Sequence, residues 1–300
     1  MYNHNIPTIK EKVRHMPHVY YFNLDHETDR KEYMESQLDH YGINYTRVSQ
    51  SNYLSRDYDS WKHKLDNPDL FDVSEVYEIG SLNPINHVAS FLTHLELFYK
   101  WYHNTNENYL IVMEDDYDLS LIEKWHFTWE CLMNRIPYDW DALQFSFETP
   151  IGNFYPMFLH PKPVGDVGFG AMMLNRSYIK KLLKISHTSE GKLMSFFNKG
   201  LNEEFLNHQG ILNSSTCSID TCISGPGVTY KIPLITMNYD LLRKEQLTLN
   251  PEHHQLYCEY IVKNWWKTER DNFSVDDFFT YGKPYDHLMG KTVNSSNAFL

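Results

Sequence analysis

The segment Asn108 to Ser120, NYLIVMEDDYDLS, changes character within a few residues. Tyr109 to Met113 is apolar or aromatic throughout, the pattern of a buried strand in an α/β sheet. Glu114, Asp115, Asp116 and Asp118 follow at once, four carboxylates within five positions. Such a chain must bury the run and bring its charged end out at the edge of the sheet. In open α/β sheets ligands bind beyond the carboxyl ends of the strands. The acidic end is therefore either a solvated turn or a site.

The flanking sequence supports the α/β reading. His18 to Leu24 (HVYYFNL) is a β-prone run, and the following helix places Met34, Leu38 and Tyr41 on one face and stops at Gly42. Ile43 to Val48 returns as a strand. A second helix starts near Asn83 with Pro84 in its first turn, and Ile85, Val88, Leu92, Leu95, Tyr99 and Tyr102 form its apolar stripe. Farther on, Trp125 to Met133 is predicted helical, Asp141 to Phe147 is a strand, and the glycine-interrupted KPVGDVGFGAMML runs into another. Asn175 caps a helix beginning NRSYIKKLLKI. The stretch from Glu190 to Leu212 is predicted helical with a break at Gly200, SGPGVTYKIPLITMN is a turn leading into an extended segment, and LYCEYIVKNWWK is an aromatic helix near the end. These elements predict an extension over 1–17, a main domain over 18–240 and a helical extension over 241–300 packed on it.

Composition removes some functions. Lys plus Arg number 27 against 39 Asp plus Glu, a formal net charge of -12, which argues against a broad nucleic-acid footprint. There is no run of about 18 uncharged apolar residues and no signal-peptide core, so no transmembrane segment is expected and the cytoplasm is the expected compartment. A chain of 300 residues buries enough surface to fold without disulfides. Of Cys131, Cys217, Cys222 and Cys258, only Cys217 and Cys222 form a local pair, and free thiols are expected for the most part.

The acidic cluster suits a hard divalent cation. Mg or Mn takes oxygen ligands from a few carboxylates and completes its shell with substrate phosphates. Glu114 and Asp116, two apart, would share a face in an extended strand, and like charges this close need a compensating cation. A metal there offsets the charge of a diphosphate leaving group. No P-loop or GxGxxG accompanies it.

Several segments, taken in order, resemble glycosyltransferase family 25, which includes lipooligosaccharide glycosyltransferases and collagen hydroxylysine galactosyltransferases. NLDHETDR supplies Asn23, Leu24, Asp25 and Arg30; ASFLTHLELF supplies Thr93, His94 and Leu95; Glu114, Asp115 and Asp116 match the EDD signature; and GFGAMMLNRSYIKKLL, from Gly168 to Leu183, matches a glycine-aromatic strand and helix. The resemblance covers Val19 to Tyr239. It implies a GT-A-like fold with a mixed central sheet, a divalent metal, Mn or Mg, and a nucleotide-sugar donor, usually UDP-linked. It also implies inverting transfer of a hexose to a hydroxyl on a glycan or collagen-like protein.

On that resemblance Asp116 and Glu114 are candidate metal ligands and Asn23, Leu24, Arg30, His94 and Asp115 the donor-binding residues; His208, four residues after Glu204 on one helical face, is a further candidate metal ligand or a group that orients the base. Glu204 or Glu203 is the candidate base, where the family carries an Asp. The chain departs from the family again with Ala89 in place of Gly and Thr93 in place of Ser. Asp118 reads as a turn carboxylate, Asp166 and Gly168 lie in a glycine-rich approach, and Asp220 lacks a local constellation. A noncatalytic glycan-binding or assembly protein is the alternative.

Overall fold

The computed structural model describes residues 6–50, 85–147, 157–162, 168, 170–186, 227–241 and 252–279. Helix α1 (Ile9–Lys12) precedes β1 (Val19–Asn23), α2 (Thr28–Tyr41), β2 (Tyr45–Ser49), α3 (Ile85–Asn104) and β3 (Tyr109–Glu114). Then come β4 (Tyr117–Asp118), α4 (Trp129–Met133), β5 (Ala142–Gln144), β6 (His160–Pro161), β7 (Ala171–Asn175) and α5 (Arg176–Ser186). Strands β8 (Thr229–Lys231) and β9 (Thr236–Met237) and helices α6 (Glu252–Thr268) and α7 (Val275–Phe279) complete the order. The chain is thus an α/β protein.

The seven-stranded sheet runs β2-β1-β3-β7-β5-β8-β6, and β4 pairs with β9 apart from it. It is mixed: β1 lies parallel to β2 and β3, β7 runs antiparallel to β3 and β5, β8 is parallel to β5, and β6 is antiparallel to β8. The chain leaves β1 for β2 on one side and later enters β3 on the other. The reversal puts a switch point at the carboxyl ends of β1 and β3, where an open sheet forms a crevice.

Strand β3 explains its own apolar run. Ile111 and Met113 pack with Val19, Tyr21, Met34 and Leu38 on one face. Leu110 and Val112 pack with Phe22, Leu92, Leu95 and Phe98 on the other. Both faces are covered, so polar alternation has no place in it. Helix α2 buries Met34, Leu38 and Tyr41 as its spacing predicts, and Gly42 closes it in a left-handed conformation at φ 68°. The amides of Gly42 and Ile43 donate to Asp39 and Leu38, the double bond that a left-handed residue permits. Asn175 caps α5 as predicted, its Oδ1 accepting from the Tyr178 amide at 2.7 Å.

Two expectations change. Only Trp129–Met133 of the predicted Trp125 to Met133 helix is α-helical; Ser120–Lys124 is a 3-10 turn and Trp125 is extended. Thr128 caps the short helix, and Trp125 and Phe127 instead join an aromatic group with Trp265, Trp266, Phe278 and Phe279. Trp125 and Trp266 donate their ring N–H groups to the carbonyls of Leu234 and Pro233. The C-terminal helices are therefore core, and so is the N-terminal piece: buried Lys12 donates to the carbonyls of Ile122 and Glu123, and burial pushes its pKa down to about 8.

The second concerns His94, which helical period sets opposite the apolar stripe formed by Leu92, Leu95 and Tyr99. Residues 91 to 98 of α3 are all buried, and His94 stacks on Phe22 with ring centroids 3.9 Å apart. Its Nδ1 donates to the Ser90 carbonyl at 2.7 Å. Burial drives its pKa down to about 3, and His160, buried on β6, falls to about 4. Of the cysteines, Cys131 is a free thiol and Cys258 is buried; Cys217 and Cys222 lie outside the described residues.

Both histidines fold neutral, whereas the unfolded chain takes up their protons near pH 6.5. Between that pH and the folded values the unfolded state binds more protons, so stability falls as pH falls, by about 1.4 kcal/mol per pH unit for each group. We expect urea unfolding of His94→Leu to lose stability less steeply than the parent between pH 6 and pH 4. Parallel curves would remove His94 from the acid response.

Candidate functional site

Register brings the first two site residues together. Phe22 pairs with Glu114 across β1 and β3, so Asn23, the last residue of β1, and Asp115, just past the end of β3, lie side by side. Asn23 Nδ2 donates to Asp115 Oδ2 at 2.6 Å and to the Glu27 carbonyl at 3.0 Å. Its Oδ1 accepts from Arg47 Nε at 2.8 Å, and Arg47 also pairs with Asp25. Leu24 is buried, and its carbonyl accepts from the Glu27 amide to close the turn into α2.

Helix α2 then supplies the cation. Arg30, in its first turn, places one nitrogen, Nη2, 2.7 Å from Asp115 Oδ1 and 2.6 Å from Asp116 Oδ2. The three residues are 6%, 4% and 2% exposed. Burial opposes the Arg30 charge, but Asp116, Asp115 and Glu114 outweigh it and raise its pKa. Two turns along the same helix, Gln37 donates to the Tyr117 carbonyl and accepts from the Leu119 amide. One helix face thus holds both the side chains and the backbone of the acidic turn.

The opposite side of the turn is fixed as firmly. The Glu114 amide donates to Gly170, and the Asp116 carbonyl accepts from Asn238, both at 2.6 Å. Asp118 behaves as the turn carboxylate expected: it accepts from the Ser120 amide and pairs with Lys263 of α6 at 2.7 Å. Burial raises its pKa, and the bonds from Lys263 and Ser120 more than reverse this, leaving it lowered. Tyr117 is buried with its hydroxyl 3.2 Å from Ser146 Oγ.

Arg30 brings together Asp115 and Asp116, whereas Glu114 and Asp116 would share a face only in an extended strand. The strand ends at Glu114, so the two-residue alternation stops there and the turn lets adjacent carboxylates converge. Alternation assigns Glu114 to the Phe22 face, the face on which His94 is stacked. Glu203, Glu204 and His208 lie outside the described residues, as do Asp166 and Asp220. Gly168 is described, at φ 112°.

Sequence reasoning missed three features. Arg47 carries no motif, and only the parallel register of β2 brings it to Asn23. A cavity of about 350 Å³ between β2 and α3, lined in part by Tyr20, Arg47, Thr93, Glu96 and Trp101, adjoins the cluster through that arginine. Third, Gln144, Lys231 and His160 lie in one cross-strand row on β5, β8 and β6, all buried at the same end of the sheet as the carboxylates. Gln144 Oε1 and His160 Nε2 have no hydrogen-bond partner, while Lys231 Nζ sits 5.0 Å from the Phe147 ring centroid.

No group of three or more His, Cys, Asp or Glu side chains is placed to hold a metal among the described residues. The donor chemistry nonetheless fits a small divalent cation, since two hard carboxylate oxygens meet at one cationic nitrogen and such ions take one or two carboxylates plus phosphate oxygens. No helix among the described residues is long and apolar enough to cross a membrane.

No family model matches the sequence, and no curated protein matches it. Among solved structures the chain is similar to the crystal structure of A197 from STIV, with 8% identity, coverage of 74% of this chain and 84% of that chain, and a TM-score of 0.35. A likeness at that score supports nothing about activity. What the chain itself defines is an α/β protein with a buried, charge-compensated acidic cluster at a sheet switch point.

Gly170 permits this geometry by its lack of a side chain. A Cβ there would lie 2.4 Å from the Tyr117 hydroxyl and 2.7 Å from its ring carbon Cε2. Overpacking of this kind costs about 1–3 kcal/mol. We expect Gly170→Ala to lower the denaturation midpoint accordingly, and an unchanged midpoint would contradict the close approach.

Proposed function

We propose that the chain is a glycosyltransferase of the GT-A type that moves a hexose from a nucleotide sugar, UDP-linked, to a hydroxyl of a glycan or collagen-like protein. The observation that carries this reading is the convergence of Asn23, Arg30, Asp115 and Asp116 beyond the carboxyl ends of β1 and β3. A diphosphate needs cations and directed donors, and a switch-point crevice is where an open sheet receives such a ligand.

Each group has a task in that reaction. Asp115 and Asp116 would hold a divalent cation, Mn or Mg, which when bound supplies Lewis-acid compensation for the departing diphosphate. Asn23 fixes the Asp115 carboxylate, and Arg47 fixes Asn23. The guanidinium of Arg30 offers the forked donors that match phosphate oxygens. The acceptor oxygen bonds to the anomeric carbon as the bond to the diphosphate oxygen breaks, and its proton passes to a carboxylate. Glu204 or Glu203 remains the proposal for that proton, on the family resemblance, and His208, by its helical spacing from Glu204, for orienting it or ligating the metal.

One observation favours a second reading, a noncatalytic glycan-binding or assembly protein. Arg30 already occupies the point where the two carboxylates meet, an arrangement that is complete without metal.

Calorimetry of UDP with and without Mn, beside a product assay with UDP-hexoses, separates the two. We expect metal-dependent UDP binding and repeated turnover, with turnover falling about 100-fold or more in Asp116→Asn, as when a group that stabilises developing charge is removed. UDP binding indifferent to metal, with no product from any donor, would favour the noncatalytic reading.

A further inference from the structure

We propose that Arg30 is a displaceable counter-ion that competes with the divalent cation for Asp115 and Asp116. The acidic pair then takes metal tightly only when a nucleoside diphosphate arrives to receive the guanidinium. The diphosphate half of this proposal rests on the donor-site reading above; the competition between arginine and metal does not.

The geometry is that of a cation site filled from within. A single nitrogen, Nη2, lies within 2.7 Å of oxygens from both carboxylates. A metal ion held by Asp115 and Asp116 would need the place that nitrogen fills, so the two cations would exclude one another. All three side chains are buried, so water screens the pair poorly and the carboxylates require a cation at all times.

The guanidinium is also incompletely used in this position. Arg30 Nε is buried and has no hydrogen-bond partner, which leaves a donor of the planar fork unfilled. Phosphate oxygens accept two parallel N–H bonds from such a fork. A diphosphate offers Arg30 what the carboxylates do not, and releases them to the metal. Arg30 is mounted in the first turn of α2, whose rigid attachment through Gln37 to Tyr117 and Leu119 leaves side-chain rotation as the route of exchange. By linkage, metal and diphosphate must raise each other's affinity by the same factor.

The test is calorimetric titration of Mn into the parent protein and Arg30→Met, each with and without UDP. We expect Mn alone to bind Arg30→Met about tenfold or more tightly than the parent, and UDP to tighten Mn binding to the parent by about tenfold more than it tightens Mn binding to the variant, where only direct contact between metal and diphosphate couples the two. Equal or weaker Mn binding by Arg30→Met overturns the competition. Should the variant be unfolded without metal, Mn must restore its folded circular dichroism spectrum; failure to do so also counts against the proposal. The two claims separate cleanly. Tight Mn binding by the variant with no UDP effect on the parent retains the competition and removes the diphosphate. Cooperative UDP and Mn binding by the parent without any gain in the variant does the reverse.

Discussion

Two adjacent aspartates inside a protein cannot both stay charged without a cation, and in this fold Arg30 is that cation. Its position fixes much else. Arg30 must come from an element beside β3, so α2 must pack on the Met113 face of the sheet. The first turn of that helix must also reach beyond the strand ends, which the short turn from Asn23 to Thr28 allows. Removing one partner of such a buried pair costs about 3–5 kcal/mol, whereas the intact pair adds little net stability. The cluster therefore constrains the fold strongly while stabilising it weakly, the balance expected of a group kept for its chemistry.

The acidic turn is also the meeting place of distant segments. Asn238 binds the Asp116 carbonyl, β9 pairs with β4, and Lys263 joins Asp118 to Glu259, whose other oxygen accepts from the Tyr239 amide. The C-terminal helix that carries Lys263 also buries Trp265 and Trp266. Aromatic burial supplies the energy, and the ion pairs supply the position. The backbone beneath Asp115 and Asp116 is thus held from both ends of the chain, and this leaves their side chains as the adjustable part.

Features whose cause is local were legible in the sequence. The apolar run of β3, the Met34, Leu38 and Tyr41 face, Gly42 at its left-handed stop and the Asn175 cap each follow from a short-range rule. The places where local reasoning failed have a common origin in tertiary environment. His94 is off the stripe by helical period, yet α3 is buried on that side as well, so periodicity lost its meaning. Trp125 and Phe127 have helical neighbours but a larger aromatic cluster to join. Pairing Glu114 with Asp116 assumed a strand that continued, whereas the chain turned. Arg47, Lys231 and His160 depend on which strands lie side by side, and sheet order is not written in any one segment.

If the crevice receives a nucleotide sugar, charge balance gives the reason why an arginine alone would not complete the liganded site. Asp115 and Asp116 bring two negative charges and Arg30 one positive; Arg47 is matched by Asp25. A diphosphate, on the donor-site reading proposed above, would add negative charge beside two carboxylates that share the Arg30 guanidinium, and in a poorly screened interior that sum would be unfavourable. Moving Arg30 from the carboxylates to the phosphates relocates the deficit without reducing it. A divalent cation held by Asp115 and Asp116 would offset more of that charge than the single charge of Arg30 can. On that reading the need for metal would arise when the nucleotide enters, and the same arginine that compensates the unliganded site would leave the liganded one dependent on a second cation.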